Sequence, residues 1–301
     1  MDLNFVNPKS GAIIGSTLLA QNVLRAAAIS AGDSSAVSKI VEKDVWHREY
    51  QQTYRALCEL EFSSVEAHTK LANAGLQALG NSIHDEFGRS LTQILSAGWS
   101  STIQRVKFFE IRGSAAVKKI TIPQHSGSLE TLARIWVGRL LAEPGLIAKF
   151  RFLDQIERPA LQNEMLVSLA GLAEYSPTRN WLDWGGKTAV LARQSPERWL
   201  SLIQHARESA GTLYVPVLTT KLRALQGTDL SDRELAGLAG LDLLADPEAC
   251  ASAVSQLVSD RSERIVLGSY AYLPGLRHIQ VQAVQDGIIS LVAEAVAPDR
   301  L

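Results

Sequence analysis

Cysteine is scarce in this chain, and net charge is close to absent. Only Cys58 and Cys250 occur in 301 residues, far apart in sequence. One bridge is the most they can form, and two buried free thiols in a reducing compartment fit better. The 30 basic and 31 acidic side chains leave a formal charge of −1. Nothing in that balance draws the chain to nucleic acid or to an anionic membrane surface. Long apolar runs are missing as well. The run Gly11–Ala20 is too short to span a bilayer and has no basic region before it. It reads as the start of a core helix in a soluble, cytoplasmic protein. The histidines (His47, His68, His84, His125, His205 and His278) are scattered, without His-Glu-x-x-His or His-x-His spacing, so no metal site is expected. Neither cysteine has the basic neighbour of an activated thiol. There is no Gly-x-Ser-x-Gly elbow and no Walker A loop.

What the chain does have is apolar mass. It is 46% hydrophobic and 20% charged, enough for a large core, and its length suits about two domains. The first part reads as helices. Ser10 to Ser30 is alanine-rich and apolar, and Gly32-Asp33-Ser34-Ser35 breaks it. Val37, Ile40, Val41, Val45, Trp46 and Tyr50 then recur at three- and four-residue spacings. Tyr54, Leu57, Cys58 and Leu60 extend the stripe, which predicts one long amphipathic helix to about Phe62. Ser64 opens another over Val65–Leu79. The period changes at Val106–Ile111 and Lys118–Ile122, which read as two short strands, or one strand and a loop. Leu129–Leu141 is amphipathic again. A linker falls over residues 154–163, around Pro159. Residues 1–155 are thus expected to form a mostly α-helical domain with a short β element.

The stretch Glu164–Val217 reads differently. An apolar run, Met165–Leu169, meets a small-residue turn at Gly171. Ser176-Pro177 starts a helix, with serine as cap and proline at the first helical position. Thr188–Ala192 is a second apolar run. Ser195-Pro196-Glu197 starts the next helix, and Thr212–Val217 is a third run. Downstream come a helix over Ser231–Leu238, capped by Asp229 or Ser231, and a fourth strand candidate, Leu241–Ala245. A helix starting at Asp246-Pro247-Glu248, a fifth strand at Arg264–Leu267 and a last helix over Ile279–Ala297 complete the chain. Strands alternating with helices predict an α/β fold: a C-terminal parallel sheet over residues 160–301, helices on both faces, preceded by the helical domain.

Residues 164–301 resemble a nicotinamide-binding Rossmann domain of the short-chain dehydrogenase/reductase type. MLVSLAGLAEYSPTRNWLDWGGKTAVLAR has the rhythm of that family's first strand, glycine turn, helix and second strand. RIVLGSYAYLPGLRHIQVQAVQDGIISLVAEAVAPDRL has that of its fifth strand, serine turn and following helix. The resemblance implies an NAD(P)-dependent oxidoreductase acting on a small-molecule carbonyl or imine. The departures are specific. Of the family's three turn glycines only Gly171 is present, with Ala170, Ala173 and Glu174 around it. The family's tyrosine and lysine positions hold Val281 and Gln285, while Ser269 matches its serine.

The candidate cofactor residues are therefore Gly171, Ala173 and Ser176 at the turn, where helix amides can meet phosphate. Arg193 joins them past the second strand, where arginine suits the extra phosphate of NADP. The candidate catalytic residues are Ser269, Tyr270, Tyr272 and His278, around the end of the fifth strand. Asp286 reads as a surface charge. Two other functions stay open. One is a non-catalytic Rossmann-like ligand-binding or dimerisation scaffold, with homo-oligomer contacts through the N-terminal helices. The other is a transferase using an adenosine-containing donor.

Overall fold

The computed structural model describes residues 2–32, 34–40, 44–122, 125–156, 161–222, 230–259 and 262–301. Asp33, Val41, Pro159 and Asp229, which entered the sequence reading, lie outside them. The chain divides into two compact units, each assembled from separated stretches. A helical unit takes Met1–Val106, Leu241–Asp260 and Ala271–Pro298, and a sheet unit takes Lys107–Gly240, Arg261–Tyr270 and Asp299–Leu301. The break expected near 155–160 falls inside the second of these, and two helices expected to cover the sheet count with the helical unit instead.

The first stretch opens with β1 (Asn4–Phe5), a lead-in that the sequence pattern passes over. Helix α1 (Ser16–Ser30) starts later than its alanine-rich pattern suggests. The expected long helix to Phe62 is two helices, α2 (Ser34–Ser38) and α3 (Trp46–Glu61). Helix α4 (Val65–Asn81) opens where Ser64 accepts a hydrogen bond from the Ala67 amide at 3.0 Å, as an N-cap serine should. Strand β2 (Ile83–His84) pairs antiparallel with β1, Phe5 opposite Ile83. Helix α5 (Leu91–Trp99) opens on a reciprocal capping box between Ser90 and Gln93. Helix α1 packs on α4. Ala28, Ala36, Ile40 and Leu57 form a small core among the first helices.

The sheet unit begins at an edge strand, β3 (Val106–Arg112), followed by a helical pair, α6 (Leu129–Gly138) and α7 (Gly145–Gln155). Lys118–Ile122 is not a strand. Then come β4 (Glu164–Leu169), α8 (Thr178–Asp183), β5 (Lys187–Leu191), α9 (Pro196–Arg207) and β6 (Thr212–Leu218). Two short helices follow, α10 (Thr219–Leu222) and α11 (Asp232–Leu238), the second opened by Ser231 and Glu234 in a capping box. Next is α12 (Pro247–Ser259) of the helical unit, where it packs on α5. Strand β7 (Arg264–Ser269) returns to the sheet, and α13 (Leu276–Ala295) returns to the helices.

The sheet order is β3-β6-β5-β4-β7. Strands β4, β5, β6 and β7 run parallel, with Met165 opposite Lys187 and Leu169 opposite Ser269. Gly113, just past β3, donates to the Gly211 carbonyl just ahead of β6, so the edge strand runs against its neighbour. The three interior strands are buried from their second residue onward, except Leu218 at the end of β6. That double-sided burial is why they read as unbroken apolar runs rather than as alternation. Trp199, fully buried, anchors α9 on one face among Leu182, Val190, Leu202, Leu213 and Val215.

Leu241–Ala245 is not the fourth strand that its apolar residues predict. Asp242 Oδ1 accepts from the Leu244 and Ala245 amides at 2.8 and 3.2 Å, and the Asp242 carbonyl accepts from the Asp246 amide. An aspartate that bonds its own downstream backbone closes a turn where a strand would have to stay extended. Strand β7, read as the fifth, is consequently the fourth parallel strand and lies directly beside β4.

Candidate functional site

Chain order runs outward from β4 through β5 to β6, then jumps to β7 on the other side of β4. In open α/β sheets the usual ligand position is beyond the carboxyl ends of the strands. Past Leu169 the backbone enters the left-handed region at Ala170, with φ +67°. A residue bearing a β-carbon is strained there by about 1–3 kcal/mol. The Ala170 amide donates to the Leu191 carbonyl at 2.6 Å, and the Ala173 and Ser176 amides close successive turns.

Gly171 follows. A β-carbon at this position would stand 2.7 Å from Ser168 Oγ and 2.9 Å from Val190 Cγ1. Its own sheet therefore already demands glycine there, before any ligand does. Beneath it the hydroxyls of Ser168, Ser176 and Thr178 form a triangle, with edges of 3.0, 2.7 and 3.4 Å. Ser168 and Thr178 are buried. Pro177, expected as the first helical residue, is instead the N-cap, so α8 starts one residue later than expected, and Ser176 Oγ reaches the Thr178 amide only at 3.4 Å.

A cavity of about 350 Å³ opens beside this turn. Gly171, Ala173, Ser176 and Thr178 line one side, and Glu197, Arg198, Ser201 and Leu202 from the start of α9 line the other. Glu174 and Arg179 complete its charged wall. Arg179 Nη2 donates to Ser201 Oγ at 2.9 Å. Arg198 has no hydrogen-bond or ion-pair partner among the described residues. Three of the four expected cofactor residues, Gly171, Ala173 and Ser176, thus share one wall. Arg193 does not join them. It is exposed off the cavity, and its carbonyl accepts from Trp199 Nε1 at 3.3 Å. Arg179 and Arg198 are the arginines on the wall. The sequence signal for Arg198 was its place in the first turn of the helix after the second strand, where side chains and amides face a ligand together.

The expected catalytic residues do not form one group. Ser269 and Tyr270 end the last stretch of sheet, whereas Tyr272 and His278 belong to the helical unit. Ser269 is exposed. The Tyr270 ring lies over Gly268, and its amide donates to the Leu169 carbonyl at 2.9 Å. Burial pushes the Tyr270 phenol up, so it is a protonated and weakened acid at neutral pH. Tyr272 is exposed and packs against His278 with ring centroids 4.9 Å apart and the planes tilted by 52°. His278 Nδ1 is buried without a hydrogen-bond partner. Val281 and Gln285 are both buried, and Gln285 Oε1 accepts from the Ala271 amide at 3.0 Å.

Asp286 is half-buried, and burial raises its carboxyl above the ordinary value. Both cysteines are free, but Cys58 is exposed and only Cys250 is buried. Burial, and then Asp246 and Asp242, push the Cys250 thiol far up, which keeps it protonated. Among the described residues no three or more His, Cys, Asp or Glu side chains gather as metal ligands. No described helix is long and apolar enough to cross a membrane. No protein-family model, curated protein or solved structure matches the chain.

Proposed function

We propose that the sheet unit binds a phosphorylated adenine nucleotide, NADP first among them, in the cavity between the Gly171 turn and the start of α9. The observation that carries this reading is the wall itself: the turn after β4 and two arginines line one space at the carboxyl ends of parallel strands. Arg198 supplies an unpaired positive charge for a phosphate. Glu174 and Glu197 supply acceptors for ribose hydroxyls or an adenine amine. About 350 Å³ is at the small end for a ligand pocket, which suits the adenosine half of a dinucleotide. Two free thiols suit a cytoplasmic setting.

Hydride transfer to a small-molecule carbonyl or imine is the chemistry that goes with this ligand. Tyr270 is the proton donor that the sheet unit offers. A second reading, a ligand-binding module without catalysis, is favoured by the burial of Val281 and Gln285, where the family resemblance would place its acid–base pair.

Calorimetric titration with NADPH, NADH and adenosine 2′,5′-bisphosphate tests both readings. Micromolar binding with preference for the 2′-phosphate is expected. Arg198→Ala should weaken it about tenfold, or about 1.4 kcal/mol. Silence with all three removes the nucleotide reading. Binding without NADPH oxidation across a panel of aldehydes, ketones and imines selects the second reading.

A further inference from the structure

We infer that the helical unit carries a separate ligand site, for a small amphipathic ammonium compound, in the cleft where α4, α5 and α13 meet. The cleft encloses about 410 Å³, within the range of small-molecule sites. Its floor is apolar and well packed: Leu91, Leu95 and Ala283 are almost fully buried. Leu76 stands at the mouth, more than a third exposed. Glycine lets the walls of the cleft approach one another closely. A side chain at Gly287, inside α13, would collide with Leu95, and one at Gly80 would collide with Thr92 Oγ1. Glycine weakens a helix interior, so its presence on two of the three walls marks places where backbone must come close and side-chain bulk is absent.

Charge selects the occupant. Glu294 is the one charged side chain on the wall. It is exposed and has no hydrogen-bond or ion-pair partner among the described residues. It lies in the last turn of α13, which contains no basic residue. The carbonyl end of a helix is itself partially negative, so a carboxylate there adds to an existing field that favours a cation. An apolar floor under an unanswered negative corner fits a compact ammonium with a hydrocarbon or aryl body. A fatty acid or a phosphate would meet repulsion in the same place. Thr92, Ser96 and Ser290 add hydroxyls around the rim. This site is independent of the nucleotide reading, since all its walls belong to the helical unit.

The test titrates the full chain with phenylbutylamine, phenylbutanol and phenylbutyrate by chemical-shift perturbation. The amine should bind at least about tenfold tighter than the other two. Glu294→Gln should erase that preference. Ser290→Trp, which fills the cleft from its rim, should abolish binding, and Ser96→Trp on the opposite wall serves if the first variant loses helical circular dichroism. Equal binding of the three compounds, no binding, or amine binding untouched by these variants each overturns the proposal.

Discussion

Strands β4 to β6 and the helices of the other unit bury their apolar residues by different means. The strands are covered on both faces and need no further instruction than a run of Leu, Val and Ala. Helices α3, α4 and α5 of the helical unit are amphipathic, and two of them are fixed at their starts by serine caps, Ser64 and Ser90. An ionic knot adds to this: Asp85, with its side chain wholly buried, holds Arg89 at 2.8 Å, and Glu248 of α12 holds both Arg89 and Arg105, at 3.2 and 2.6 Å. The difference predicts that the sheet unit fails through lost volume and the helical unit through lost partners.

Truncating Trp199 should have the largest effect. Trp199→Ala removes the largest fully buried side chain of the sheet unit and should cost about 3–5 kcal/mol, read as a lower urea midpoint. Were the cost under about 1 kcal/mol, the claim that volume governs this unit would break.

Arg89→Met comes next. It leaves the buried Asp85 carboxylate with only the Phe87 and Arg89 amides, at about 2 kcal/mol. Arg55→Ala, which breaks the exposed Arg55–Glu59 pair, should change stability within error. Burial pushes the Asp85 carboxyl up, but the Arg89 amide and guanidinium and the Phe87 amide outweigh it and hold it below the ordinary value. Its contribution is therefore present above the unfolded value and lost as pH falls through the folded one. The cost of Arg89→Met should therefore shrink as pH falls through that window, and a cost that stays the same in acid would contradict the knot.

The smallest effect lies inside the sheet unit and sharpens the comparison. Helix α7 has no buried residue. Its tie to α6 includes Glu130, which Arg151 and then Arg134 hold down to about 2. A lowered carboxylate stabilises above its unfolded value of 4.5 and stops doing so as pH falls towards about 2. The protection factors of α7 amides should fall over that window while β4 to β6 stay protected. Arg151→Ala should move the onset towards the ordinary carboxylate range.

The same contrast decides what could be read from residues alone. The three interior strands were legible because two-sided burial leaves no alternation to decode. The starts of α9 and α12 were legible because Pro196 and Pro247 follow polar caps. Leu241–Ala245 misled because one side chain, Asp242, turns an apolar run back on itself. At the candidate site the turn and three of its wall residues were legible from composition. Arg179 and Arg198 were not, because their meeting depends on how α8 and α9 flank the strand ends. Periodicity shows that α12 and α13 have apolar faces, but not which helices cover them.

The interleaving of the two units bears on how the chain is born. Helix α5 ends at Trp99 and α12 starts at Pro247, so helices α1 to α5 leave the ribosome about 150 residues before α12 does. At ordinary translation speeds that interval is on the order of ten seconds. During it, Leu91, Ile94 and Leu95, buried in the finished molecule, have no α12 or α13 to meet. A nascent chain in this state is a natural client for a holding chaperone. Moving the coding sequence for α12 and α13 upstream would shorten that vulnerable interval.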